Sequence, residues 1–375
     1  MDILPFLNTT WWEINKGHIL QMTDAIIFLL FSICVIYLFI FALMSLTKSK
    51  LEYDPARKKH RFIILFLVQP NDDNAILDSV AEFITQNYPS EKYDIVVGYN
   101  GLKDNTIKEL EDIGVITYYL ENAYNAGNSL KMIVTDIPEK SYDMMILFNA
   151  NDSVAPNFLN QINNAFYSGC LAIQTHRVPM RFHGLGGRLS SFSEELNNSI
   201  FRKGHVNLGF SSALNSSGLA LDFKWLKENA KKLGEKDVIK QLETYLLRQK
   251  VYIEYLNDTY TFMGKSNSKT MGLQGRHVRW MKDANRNLLR ELPRLPLHFF
   301  KGNWDYCDKI IQWLIPSRVS LTFLIGFFTC ALFIYDWTMS IKWGILLTIL
   351  FIAFSIAAPD KLVDKNNYKK DGAKI

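Results

Sequence analysis

Cysteine is scarce: four residues in 375, at positions 34, 170, 307 and 330, with no CxxC pair and no zinc spacing. Cys34 and Cys330 fall in apolar runs and the other two lie far apart, so free, reduced thiols are expected rather than a disulfide scaffold. Charge is sparse as well. Charged residues make up 21% of the chain and hydrophobic ones 48%, which excludes a disordered chain and leaves a globular or membrane class. The net charge of +5 is not gathered into a long basic tract, so no nucleic-acid partner is expected. A cleaved leader is not expected either, because Asp2, Glu13 and Asp24, not basic residues, precede the first apolar run. His176, His183 and His205 show no ligand spacing.

Three apolar segments are present. Residues 25–46 form 22 uncharged positions, long enough to cross a hydrocarbon core of about 30 Å. Lys48, Lys50, Arg57, Lys58, Lys59 and Arg61 follow that run, and the positive-inside rule then places residues 1–24 outside and the rest inside. Trp11 and Trp12 fit an anchor at the outer interface. Residues 319–335 and 345–358, separated by Asp336, Trp337 and Lys342, read as a hairpin of two spans with the second somewhat short. It returns a Lys-rich tail, 359–375, to the cytoplasm; a buried core hairpin is the competing reading. Residues 298–316 mix Trp304, Tyr306, Ile310 and Trp313 with charges. That pattern suits an interfacial amphipathic helix, and equally a buried one.

Residues 60–297 are left as one cytoplasmic domain. The run 62–68 (FIILFLV) is continuously apolar, as expected of a strand buried on both faces, and Pro70 ends it before a helix near 76–87. Further strands are predicted at 94–98, 115–120 and 144–148, with helices near 104–113 and 129–135 between them. Gly186-Gly187 reads as a turn or a flexible loop. Strand–helix alternation implies an α/β domain with a mostly parallel, Rossmann-type sheet, whose ligands bind beyond the carboxyl ends of the strands. The loops at Pro70, 99–103 and 149–152 are the candidate site.

From about residue 62 to 296 the chain resembles the membrane-bound family 2 glycosyltransferases of GT-A fold that build bacterial surface polysaccharide. QPNDDNAILDSVAEFITQNYP resembles the family's opening strand–loop–helix, and YDIVVGYNGLKDNT its second strand and Asp-rich turn. ILFNANDSVAPNFL resembles the strand bearing the DxD signature, SFSEELNNSIFRKGHVNLGFSSALNSSGLAL the middle segment leading to the acceptor side, and VYIEYLNDTYTFMGK with RHVRW the terminal QxxRW region. The resemblance implies transfer of a sugar from a nucleotide-sugar, a UDP-sugar, to a lipid-linked or polysaccharide acceptor. It also implies an inner-membrane location, a Mg²⁺ or Mn²⁺ cofactor and a possible partner subunit.

The same alignment marks departures. Asn149 and Asn151 stand where the two DxD carboxylates belong, Asn100 replaces an Asp that contacts the nucleotide, and Arg276 replaces the Gln before Arg279 and Trp280. With Pro70 and Asn71 these are the expected donor-binding residues. Asp152 is the one acid left in the loop and the candidate metal ligand, while Asp237 or Glu235 is the candidate general base. An Arg276, His277 and Arg279 cluster offers an alternative charge for a diphosphate. An active transferase and a silent binding or scaffold relative both remain open.

Overall fold

The computed structural model describes residues 9–48, 53–120, 126–178, 185–235, 237–264 and 287–358. It divides into two compact units, one of Met1–Leu43 with Ile315–Ile356 and one of Met44–Leu314 with Ala357–Ile375.

The larger unit is an α/β domain around one eight-stranded sheet. Its first strand, β1 (Phe62–Val68), is buried on both sides. Alternate residues point to opposite faces of a strand. Phe62, Ile64, Phe66 and Val68 accordingly pack with α2 (Asp73–Ile84), α3 (Asp104–Asp112) and α5 (Phe158–Tyr167). Ile63 and Leu65 pack on the opposite face with α4 (Ala126–Asp136), α8 (Phe223–Ala230) and α9 (Val238–Arg248). Between them in the chain lie α6 (Leu185–Leu196), a π-helical stretch Asn197–Gly204 and the single turn α7 (His205–Asn207). Gly186-Gly187 therefore opens a helix instead of forming a turn.

The strand order is β3-β2-β1-β4-β7-β6-β8-β5, where β2 is Tyr93–Tyr99, β3 Ile116–Tyr119, β4 Met144–Asn149, β5 Asp152–Val154, β6 Ala172–Val178, β7 Leu219–Asp222 and β8 Ile253–Met263. The first four are parallel, as the strand–helix alternation predicts. The whole sheet is mixed, however. β7 runs antiparallel to both β4 and β6, and β5 runs antiparallel to β8, while β6 and β8 are parallel. The reversals come from short strands with little periodic signal: β5 has three residues and β7 four.

The sheet also curls. Four strand spacings from β4 to β5 would span about 19 Å on a flat sheet. The three chain steps from Asn149 to Asp152 reach about 11 Å at most.

In the smaller unit, α1 (Thr9–Ser45), α10 (Arg318–Tyr335) and α11 (Trp337–Ala357) are three helices long and apolar enough to cross a membrane. Helix α1 starts well before the apolar run, and α11 starts eight residues before the short span read from the sequence. The reason for the second difference is a long-range partner. Lys342 forms an ion pair with Asp24 and lies 5.0 Å from the Phe28 ring, while Trp343 Nε1 donates to Asp24 Oδ1 at 2.8 Å. A charge paired in this way is tolerated inside a helix otherwise fit for lipid. The contact joins the predicted outer end of α1 to the α10–α11 turn, as expected if both lie on one side of a bilayer.

Candidate functional site

Three loops converge beyond the carboxyl ends of β1, β2 and β4. Gly101 has φ +84°, a conformation that disfavours other residues, and a Cβ there would lie 3.3 Å from Pro70 Cβ. Pro70 and the Asn100-Gly101 turn are thus in contact. Asn71 also has a positive φ, 73°, which asparagine tolerates better than most residues. Asp73 accepts from the Lys103 amide at 2.9 Å and from Thr106 Oγ1 at 2.9 Å, tying the first loop to α3. Burial pushes this carboxyl up, but those two donors outweigh it and hold the group below its usual range. The side chain of Asn100 donates to Leu120 O at 2.8 Å. Leu120 in turn lines an open groove of about 880 Å³ between β3 and α4 that includes Tyr119, Ser129 and Met132. Ser79 of α2 donates to Ala150 O at 2.9 Å, which fixes the third loop against the helix that follows the first.

That third loop is the Asn149–Asp152 turn. Asn151 Nδ2 donates to Gly264 O at 2.9 Å and the Gly264 amide returns a bond to Asn151 O at 2.8 Å. A Cβ at Gly264 would sit 2.1 Å from Asn151 O, so no side chain fits at this position. Asp152 is 1% exposed. Its Oδ2 accepts from the Asn149 amide at 2.9 Å and from Ser217 Oγ, which precedes β7. Burial pushes its pKa up, against the nearby Arg177 charge and the two donors. The carboxylate faces the interior of the curl, where it stitches β4, β5 and the start of β7 together.

A divalent cation needs several hard oxygen ligands, preferably carboxylates. Asn149 and Asn151 are neutral, and Asp152 is turned inward and already bonded. Among the described residues no three His, Cys, Asp or Glu side chains gather as a metal-holding group. The turn does not fit a Mg²⁺ or Mn²⁺ site.

Asp237 begins α9 in the left-handed region, φ 56°, and is half-buried, while Glu235 is exposed. Since β8 follows α9 and enters at the opposite edge of the sheet, the 231–237 loop lies at the same edge as the other site loops. Arg276, His277, Arg279 and Trp280 lie outside the described residues, as does His183.

Sequence reasoning missed the polar cluster beside the turn. Glu194 of α6 accepts from Arg202 Nη1 at 3.0 Å and lies 3.5 Å from Arg177 Nη1. Burial pushes its carboxyl up, but those two guanidinium groups dominate and hold it at about 2. His176 Nε2 lies 3.3 Å from Glu195, and Gln174 bonds both the Asn215 amide and Ser217 O. No local pattern advertises this network, because its members come from β6, α6, the π-helical stretch and the loop before β7.

No protein-family model matches the chain, and no curated protein matches it. Among solved structures it is similar to the mannosyltransferase PcManGT from Pyrobaculum calidifontis in complex with GDP-Man and Mn²⁺. The TM-score is 0.54 at 11% identity, over 89% of this chain and 97% of that one. GalNAc-T7 with UDP, GalNAc and Mn²⁺ matches at TM-score 0.44 and 8% identity, over 59% of this chain and 48% of that one. S. aureus TarS 1-349 matches at 0.41 and 12%, over 78% and 90%. The last two agree too loosely to support an argument. The chain therefore has a glycosyltransferase-like fold, and its chemistry has to be argued from its own residues.

Proposed function

We propose that this chain binds a nucleotide-sugar, a UDP-sugar, beyond the carboxyl ends of β1, β2 and β4. On this reading it serves as a membrane-bound glycosyltransferase of family 2 in bacterial surface-polysaccharide synthesis, with the three apolar helices in the inner membrane and the α/β domain in the cytoplasm. The observation that carries the proposal is the meeting of the Pro70, Asn100-Gly101 and Asn149–Asp152 loops at one edge of a sheet with this fold. Pro70, Asn71, Asn100, Asn149 and Asn151 are assigned to the donor, with Arg276, Arg279 and Trp280 supplying cationic and stacking contacts to the diphosphate and sugar. In transfer, Asp237 or Glu235 takes the proton from a hydroxyl of a lipid-linked acceptor. The oxygen bonds to the anomeric carbon, and the nucleoside diphosphate leaves with the electrons of the broken C–O bond. The guanidinium groups, not a metal held by Asp152, meet the charge of the leaving diphosphate.

One observation favours a second reading, a silent subunit that binds donor, acceptor or a partner enzyme without transfer. Asp152 would have to leave the Asn149 amide and Ser217 before it could ligate a cation. Membranes containing the chain, supplied with radiolabelled UDP-sugars and their own lipids, separate the two. Labelled lipid that disappears when Asp237→Asn and Glu235→Gln are combined supports transfer, and its absence from the native chain with every donor while UDP still binds supports the silent subunit.

A further inference from the structure

We infer that β3 is a dimerisation strand: the free edge of the sheet pairs antiparallel with β3 of a second copy, about a two-fold axis at Tyr118. The inference concerns the α/β domain alone and does not depend on the nucleotide site.

On one side β3 pairs with β2, and among the described residues no strand lies on the other. In a parallel pair, alternate residues turn their N–H and C=O groups toward the same neighbour. The Leu120 amide donates to Tyr99 O at 2.8 Å, so Leu120, Tyr118 and Ile116 face β2. Thr117 and Tyr119 therefore aim both backbone groups away from the sheet. Those groups are spaced to bind a copy of themselves. With Tyr118 opposite Tyr118, Thr117 meets Tyr119 of the second copy and exchanges both N–H···O bonds with it, and the two-fold repeats the exchange. Tyr118 becomes the pair without hydrogen bonds, its two Cα atoms about 4.5 Å apart. The strand carries none of the lysines, prolines or bulges that block an edge, and Ile113, Ile116 and Tyr119 (58% exposed) lie open beside it.

A strand this short cannot hold a dimer alone, since stable interfaces bury about 1,200 Å² or more. The groove between β3 and α4 supplies the rest. Tyr118 lies on the α4 side of the sheet, and its hydroxyl donates to Asp136 Oδ2 at 3.1 Å. The groove wall on α4 carries Asn128, Lys131, Met132 and Asp136. Met132, 52% exposed, is midway along that wall, as Tyr118 is midway between the outward groups of β3. One axis through both middles sets Met132 against Met132 and runs the two α4 helices antiparallel. Asp136 then faces Asn128 and Lys131 of the second copy. This wall is complementary to itself, which selects a second copy over an unrelated strand. The pairing also braces the site, because Leu120 O at the end of β3 accepts from Asn100 Nδ2.

The test uses the purified full chain in detergent micelles at micromolar concentration, sized by light scattering. The expected mass is that of two chains. Lys131→Asp alone and Asp136→Lys alone each set like charges across the axis, and each should raise the dimer dissociation constant about tenfold or more. Mixed together, the two variants carry complementary charges again and should dimerise as the native chain does. Mild oxidation of Tyr118→Cys should link two copies above the native background, because about 4.5 Å between Cα atoms is within disulfide range. Lys108→Cys, on the exposed side of α3, should not link. A native chain that stays monomeric overturns the inference. A dimer that neither charge variant weakens, and that position 118 does not link, is assembled elsewhere on the chain and overturns it too. Should Tyr118→Cys fail to fold, the mixing experiment decides. Recovery of the dimer in the mixture supports the β3 axis, and a mixture no tighter than either variant alone overturns it.

Discussion

Replacing Asp152 distinguishes a buried strut from a metal ligand. Oδ2 of Asp152 satisfies the Asn149 amide and the Ser217 hydroxyl, and Ser217 is fully buried. Asp152→Ala strands both donors. Each stranded buried donor costs about 1–3 kcal/mol, so the loss is about 2–6 kcal/mol. Asp152→Asn keeps the shape and one acceptor oxygen but removes the charge beside Arg177, at about 1–2 kcal/mol. For a domain of this size each kcal/mol moves the unfolding midpoint by about 2–4 °C. Thermal unfolding followed by circular dichroism in detergent should therefore show a drop of about 4–24 °C for the alanine variant and a clearly smaller one for the asparagine variant. The strut assignment is refuted if Asp152→Ala melts with the native protein. It is equally refuted if Asp152→Asn keeps its stability while abolishing a Mn²⁺ response in nucleotide binding.

The buried Lys309–Glu243 pair should behave asymmetrically: Lys309→Met alone should cost about 3–5 kcal/mol, and Lys309→Met with Glu243→Gln should recover much of it in a denaturant double-mutant cycle. Glu194 sets an acid limb. Its folded-state pKa of about 2 lies below its ordinary 4.5, so its contribution is full above pH 4.5 and drains as the pH falls toward 2. Glu194→Gln should flatten that limb in acid-unfolding curves, and an unchanged limb would remove the Arg177 and Arg202 pairing as its cause. In the helical unit, Asp24→Leu should cost about 2 kcal/mol of stability, and adding Lys342→Leu should restore part of it. Reporter fusions after Asp54 and after Ile375 should report cytoplasm, and one before Met22 the outside. An external signal at Asp54 would invert the topology.

The sequence made legible whatever is encoded locally. The uninterrupted FIILFLV run could only be a strand covered on both faces, and the two apolar clusters on either side of β1 bear this out. Pro70 and the Asn100-Gly101 turn likewise announced loops at strand ends, where the structure puts them. What stayed hidden depends on partners far along the chain. Lys342 shortened the apparent last span because its partner, Asp24, lies 318 positions away. The inward turn of Asp152 is set by Ser217, 65 positions away. The antiparallel placement of β5 and β7 was hidden because strands of three and four residues carry too little periodicity to show their direction.

The most direct measurement is isothermal titration of the purified full chain with UDP, with and without Mn²⁺. Saturable binding that changes little when Mn²⁺ is added is the expected result, because the Asn149–Asp152 turn offers no outward carboxylate. Absence of UDP binding in both conditions would contradict the nucleotide site at the strand ends. Binding that appears only with Mn²⁺ would contradict the inward role given to Asp152.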